Sequence, residues 1–233
     1  MIARKKEFTL GLVLLIAFFV VLFIFFSPVF KDQNGKDQNG LDYLDSLYNS
    51  ISKGSAYYIP KLKDEAKTFN GNNVELSFAM ANPTQAQQTS QLFMKAGAMV
   101  NVADKTLKVS GDLGKILDNC LADADLMYKN DGKALTEKYG YSERQAVYNW
   151  WQAFKGAEKS LNDQKKFKEA KAIANISKKG VEASYNFYKI EPQSIMDRLG
   201  VVIFSLVFYV IYTLWYGFAI MFMFEGWGMQ LEH

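Results

Sequence analysis

The run Leu199 to Phe224, LGVVIFSLVFYVIYTLWYGFAIMFMF, passes through 26 consecutive residues without a formal charge. At ~1.5 Å of helical rise per residue it spans roughly 39 Å, more than the ~30 Å hydrocarbon layer of a bilayer. It therefore predicts a helix that crosses a membrane with some tilt. A second uncharged run, Phe8 to Phe30, opens the chain, and the polar region Lys31 to Arg198 lies between the two.

These runs divide a chain of 233 residues into unlike parts. They take up about fifty residues, which leaves a polar remainder of ordinary domain size. Net charge is +3, and setting aside Arg4, Lys5 and Lys6 with Glu7, Glu225 and Glu232 leaves it unchanged for the insert. Both signs are mixed along that insert, the pattern of a solvated surface rather than of a nucleic-acid footprint. One cysteine, Cys120, and one histidine, His233, cannot supply an internal disulfide, a haem attachment site or a His/Cys metal constellation. The terminal Leu231-Glu232-His233 resembles the junction ahead of a polyhistidine tag and is set aside. That removes the commonest general base at neutral pH.

The first seven residues, MIARKKE, are short and basic. A cleaved signal peptide has an apolar stretch of about 7–15 residues and a small-residue cleavage site. Here the run is longer and ends in bulky Phe25, Phe26, Val29 and Phe30, as an uncleaved anchor does. Arg4, Lys5 and Lys6 favour a cytoplasmic N-terminus. The second span returns the chain, so both termini are expected in the cytoplasm, the central domain outside it, and Trp227 at the interface. The expected location is a bacterial cytoplasmic (inner) membrane. The boundaries read as N-terminus 1–7, first transmembrane helix 8–30, flexible linker 31–40, extracytoplasmic domain 41–191, interfacial connector 192–198, second transmembrane helix 199–224, and tail 225–233 with the tag remnant at 231–233.

Lys31 to Gly40 is a tandem KDQNG repeat. A calcium loop is excluded because Gly comes too early and the distal Glu is missing, which leaves a flexible spacer. Leu41, Leu44, Leu47, Tyr48 and Ile51 then fall at helical spacing ahead of Gly54. Val74, Leu76, Phe78 and Met80 alternate as in a half-buried strand. Asn82-Pro83 is a helix start, and Gln85, Gln87, Gln88 and Gln91 suggest that the first turns of this helix are solvated. Met99 to Ser110 reads as a hairpin around Ala103-Asp104-Lys105.

The best amphipathic helix follows, with Leu113, Ile116, Leu117, Cys120, Leu121, Ala124 and Met127 on one stripe. Cys120 within that stripe reads as a small buried hydrophobe, and Asp118, Asp123, Asp125 and Asp131 as its water face. From Ser142 a helical pattern runs to Lys189, thin in large side chains between Lys155 and Lys168, where a break is expected. Pro192 parts it from the second span. The fold class is thus a two-span α-helical membrane protein with an inserted helix-dominated α+β domain, a small antiparallel sheet of about three strands plus amphipathic helices.

Within the second span, Tyr209, Tyr212 and Tyr216 share one helical face, beside Trp215 and the hydroxyl of Thr213. Polar-tipped groups in hydrocarbon seek partners on neighbouring helices, so these five residues are the candidate partner contacts. No phosphate-binding glycine loop, nucleophile elbow or mid-membrane ionisable residue occurs. The expectation is a non-enzymatic accessory or scaffolding subunit of an envelope complex, without cofactor or metal. Its partners would be the lipid bilayer and a membrane protein or further copies of itself, with no nucleic acid. The alternative is an extracytoplasmic ligand-sensing module that signals through a partner membrane protein.

Overall fold

The computed structural model describes residues 2–32 and 35–229. The tag remnant expected at 231–233, and Gln33 and Asn34 of the expected linker, lie outside the described residues. In chain order the elements are α1 (Lys5–Phe26), β1 (Phe30–Lys31), β2 (Asp37–Gln38), α2 (Gly40–Ser55), α3 (Ile59–Lys67), β3 (Asn73–Ala79), α4 (Pro83–Lys95), β4 (Met99–Ala103) and β5 (Thr106–Asp112). They continue as α5 (Leu113–Tyr128), α6 (Gly132–Tyr139), α7 (Glu143–Asp163), α8 (Phe167–Ile176), a π-helical turn (Ser177–Glu182), α9 (Ala183–Asn186), a 3-10 turn (Met196–Arg198) and α10 (Leu199–Gly226). Two compact units result, Met1–Gly54 with Pro192–His233, and Ser55–Glu191.

In the first unit the two apolar runs form α1 and α10, which pack antiparallel. Phe8 lies 5.7 Å from Trp227 at one end of the pair, and Phe25 lies 6.4 Å from Phe208 toward the other. Glycine permits the close approach, since a Cβ on Gly11 would stand 2.7 Å from the Ala219 carbonyl oxygen. Both helices are long and apolar enough to cross a membrane, and only 11% and 6% of their most apolar stretches are buried. The core helix of a soluble protein would show the opposite proportion.

The tandem repeat builds local structure in the same unit. β1 and β2 pair antiparallel, joined also by the Lys31–Asp37 ion pair, and Asn39 Oδ1 accepts from Asp42 N–H at 2.8 Å to cap α2. Phe30 stacks on Tyr43, and Tyr48 Oη lies 2.6 Å from Ser205 Oγ, so α2 groups with the apolar helices.

The second unit is an α+β body around a three-stranded antiparallel sheet of order β3-β5-β4. Val74, Leu76 and Phe78 of β3 and Leu107 and Val109 of β5 are buried on one face. Every member of the α5 stripe from Leu113 to Met127 is buried with them, and each such Leu or Ile contributes about 1.5–3 kcal/mol of transfer free energy. Asn82 caps α4 by accepting from Gln85 N–H at 2.8 Å. The first turns of α4 are solvated on one side only, where Pro83, Thr84 and Gln87 are exposed. Gln85, Ala86, Thr89 and Ser90 are buried, and Asn149 Oδ1 accepts from Gln85 Nε2 at 3.0 Å and from Gln145 Nε2 at 2.7 Å. Paired amides are accepted in the interior because their donors and acceptors are satisfied there.

The expected break falls at the end of α7. Lys165 takes a left-handed φ of 62°, its N–H bonds the Asn162 carbonyl, and Lys166 N–H bonds the Leu161 carbonyl, both at 2.9 Å. This pair of bonds is a Schellman terminator, built here without glycine. Gly156, one of two glycines inside the helical pattern, lets α7 ride on β3, where a Cβ would stand 2.5 Å from Phe78 Cβ.

Candidate functional site

The polar centre of the body is Asp123, which the sequence placed on the water face of α5. It is fully buried. Its carboxyl oxygens accept from Lys138 Nζ at 2.6 Å, Tyr139 Oη at 2.5 Å and Trp150 Nε1 at 2.8 Å, which ties α5 to α6 and α7. Lys138 also donates to Asn119 Oδ1 at 2.8 Å. Burial, then the neighbouring Asp123 charge, push the Tyr139 phenol well above its ordinary value and keep it a donor. Burial also raises the Cys120 thiol, so this cysteine is an inert core residue. Both carboxyl oxygens of Asp123 are bonded to fixed side chains, the arrangement of a structural hub rather than of an open reacting group. A positional signal for it existed, since Asp123 stands three residues after Cys120 and four before Met127, inside the apolar stripe.

The five aromatic and hydroxyl residues singled out in α10 separate into two groups. Trp215 Nε1 donates to the Leu14 carbonyl at 3.1 Å, Tyr212 stacks on Phe18 at 4.4 Å, and Tyr216 lies 5.1 Å from the same ring. These three meet α1 of their own chain. Tyr209 and Thr213 do not join that seam: both are exposed, and the Thr213 hydroxyl turns back to the Tyr209 carbonyl at 2.8 Å.

A second surface lies on the side of the sheet turned away from the buried core. Cross-strand rows there run Glu75–Ser110–Met99 and Ser77–Lys108–Asn101. They floor a groove of about 570 Å³, bounded at one side by Ser160 and Gln164 near the end of α7. Ser160 Oγ accepts from Ser77 N–H at 3.0 Å, and Gln164 Nε2 donates to the Glu75 carbonyl at 2.8 Å. Nothing in the sequence marked these two residues, whose role depends on how α7 lies along β3. A smaller cleft of about 210 Å³ is lined by Tyr148, Trp151, Glu182, Tyr185 and Asn186, beside the Lys155 ammonium set over the Trp151 ring.

Among the described residues no group of three or more His, Cys, Asp or Glu side chains could hold a metal ion. No family profile, no curated protein and no solved structure matches the chain.

Proposed function

We propose that this protein is a membrane-anchored accessory or scaffolding subunit that performs no chemistry of its own and makes protein contacts through its α+β body and second span. The observation that carries this reading is the exposure of the helix pair. Phe19, Phe23, Ile203, Phe204, Leu206 and Tyr209 are all exposed, and an apolar surface this continuous is covered in the cell by lipid or protein. Arg4, Lys5 and Lys6 beside α1 support a cytoplasmic placement of both chain ends and an extracytoplasmic body. Tyr209 and Thr213, left free of α1, are the positions offered to a neighbouring helix.

Purification from the native host in mild detergent tests the reading. The chain should migrate as part of a larger assembly, with reproducible membrane-protein partners or further copies of itself. A lone monomer that retains no partner would overturn it. The groove over the open sheet face favours a second reading, a ligand-sensing body that signals sideways through helix contacts. A rise in melting temperature of the full chain on screening small polar metabolites would select that reading, and a flat screen would reject it.

A further inference from the structure

The two edges of the three-stranded sheet are treated differently. Along β3 the outward main-chain groups are those of Asn73, Glu75, Ser77 and Ala79, and at its middle α7 side chains engage the Ser77 N–H and the Glu75 carbonyl. Because bonding alternates along antiparallel strands, the groups of β3 that face β5 are those of Val74, Leu76 and Phe78, paired with Gly111, Val109 and Leu107. The groups of β5 that face β4 are then those of Thr106, Lys108 and Ser110, which meet Ala103, Asn101 and Met99. That leaves the N–H and C=O groups of Val100 and Val102 directed away from the sheet. Among the described residues no hydrogen bond to them occurs outside the β4–β5 ladder. An open, uncharged edge is what folded proteins ordinarily cover or block, and here it survives beside an edge that is blocked.

We propose that β4 docks a second copy of this chain, the two β4 strands pairing antiparallel about Asn101 to join two three-stranded sheets into one of six strands. The strand is its own complement. Val100-Asn101-Val102 reads the same in both directions, so a two-fold axis through Asn101 sets each Val100 opposite the partner copy's Val102 and each Met99 opposite its Ala103. Four main-chain hydrogen bonds then form between Val100 and Val102 of the two copies. The half-buried valines extend each other's core, and exposed Met99 gains a neighbour. The same register sets Asp104 opposite Ala98 and Lys105 opposite Gly97, so no like charges meet. Assembly stops at two copies because Ser160 and Gln164 already occupy the β3 edge. This inference does not depend on how the chain is mounted in a membrane.

Site-directed cross-linking of the full-length chain in detergent micelles and in bilayers tests the register. The axis puts Asn101 at a non-hydrogen-bonded pair with Cα atoms about 4.5 Å apart, within disulfide reach. Asn101→Cys should oxidise to a covalent dimer at least ten-fold faster than Met99→Cys, whose two copies would lie roughly 14 Å apart, or Lys108→Cys on the middle strand. Buried Cys120 contributes no background. Equal rates at the three positions, no dimer, or an adduct to a different protein would overturn the proposal. A second arm avoids cysteine. Asn101→Lys and Asn101→Glu alter an exposed residue, and each alone should lose the β4-paired dimer while the two mixed should restore it. Unchanged self-association of either variant alone would also overturn the proposal.

Discussion

Replacing Asp123 by alanine removes the one acceptor that three side chains share. Hydrogen bonds to a charged group contribute about 1.5–3 kcal/mol each, and a buried donor left unpaired costs about 1–3 kcal/mol. The three donors do not suffer equally. Lys138 keeps Asn119 Oδ1 at 2.8 Å, and its side chain is 26% exposed, so water reaches it. Tyr139 loses its acceptor, and the Trp150 indole N–H, on a ring 1% exposed, has no other partner within the network. Two orphaned donors plus the small void give a cost of about 3–5 kcal/mol, or a fall in melting temperature of roughly 10–15 °C for a domain of this size. Tyr139→Phe deletes one donor and leaves the acceptor with two, so it should cost about 1.5–3 kcal/mol, less than the alanine variant. Thermal unfolding of the full chain in micelles, followed by far-UV circular dichroism, measures both. A loss below about 1 kcal/mol for Asp123→Ala, or equal losses for the two variants, would refute the hub reading.

The seam between α1 and α10 should be intolerant at Gly11 and tolerant at Gly217, where an added Cβ meets nothing within 4 Å. Gly11→Leu is expected to lower the thermal aggregation midpoint in micelles by overpacking worth about 1–3 kcal/mol, with Gly217→Leu unchanged. Asn82→Ala should cost about 1 kcal/mol in the same melts through loss of the α4 cap. Asp125 gives a pH signature. Burial opposes its charged form, but the hydrogen bonds from Tyr57 and Lys129 outweigh it and hold the carboxyl below its usual value. A folded-state value below the unfolded one means the stabilisation is complete above the ordinary carboxylate range of about 4 and is lost as pH falls through the folded value. Asp125→Asn should therefore flatten the acid limb of a stability–pH profile, and an unchanged limb would contradict the assignment.

What could be read from the residues was whatever repeats along one element. Period-two burial gave β3, Asn82-Pro83 gave the start of α4, the stripe from Leu113 to Met127 gave α5, and the lack of bulky residues after Lys155 gave the interruption that Lys165 makes. Contacts between elements were the part that escaped. Asp123 looked solvated because a carboxyl is assigned to water unless its partners are known, and those partners lie on α6 and α7. Gln85 and Gln88 of α4 looked solvated for the same reason, with their partner Asn149 more than fifty residues away in sequence. The aromatics of α10 were legible as groups in need of partners, but not which of them α1 would satisfy. The blocking of β3 by Ser160 and Gln164 had no sequence signal at all, because serine and glutamine near a helix end are ordinarily surface residues.

The duplicated pentapeptide carries a consequence for how the chain tolerates change. Each copy ends in Asn-Gly, and it is the Asn of the second copy, Asn39, that starts α2. Excision of either copy leaves an identical Asn-Gly in front of Leu41, so the helix keeps its initiator while the short ladder between Phe30–Lys31 and Asp37–Gln38 disappears. Contraction by one copy therefore removes the ladder and the Lys31–Asp37 pair but leaves the start signal of the helix intact.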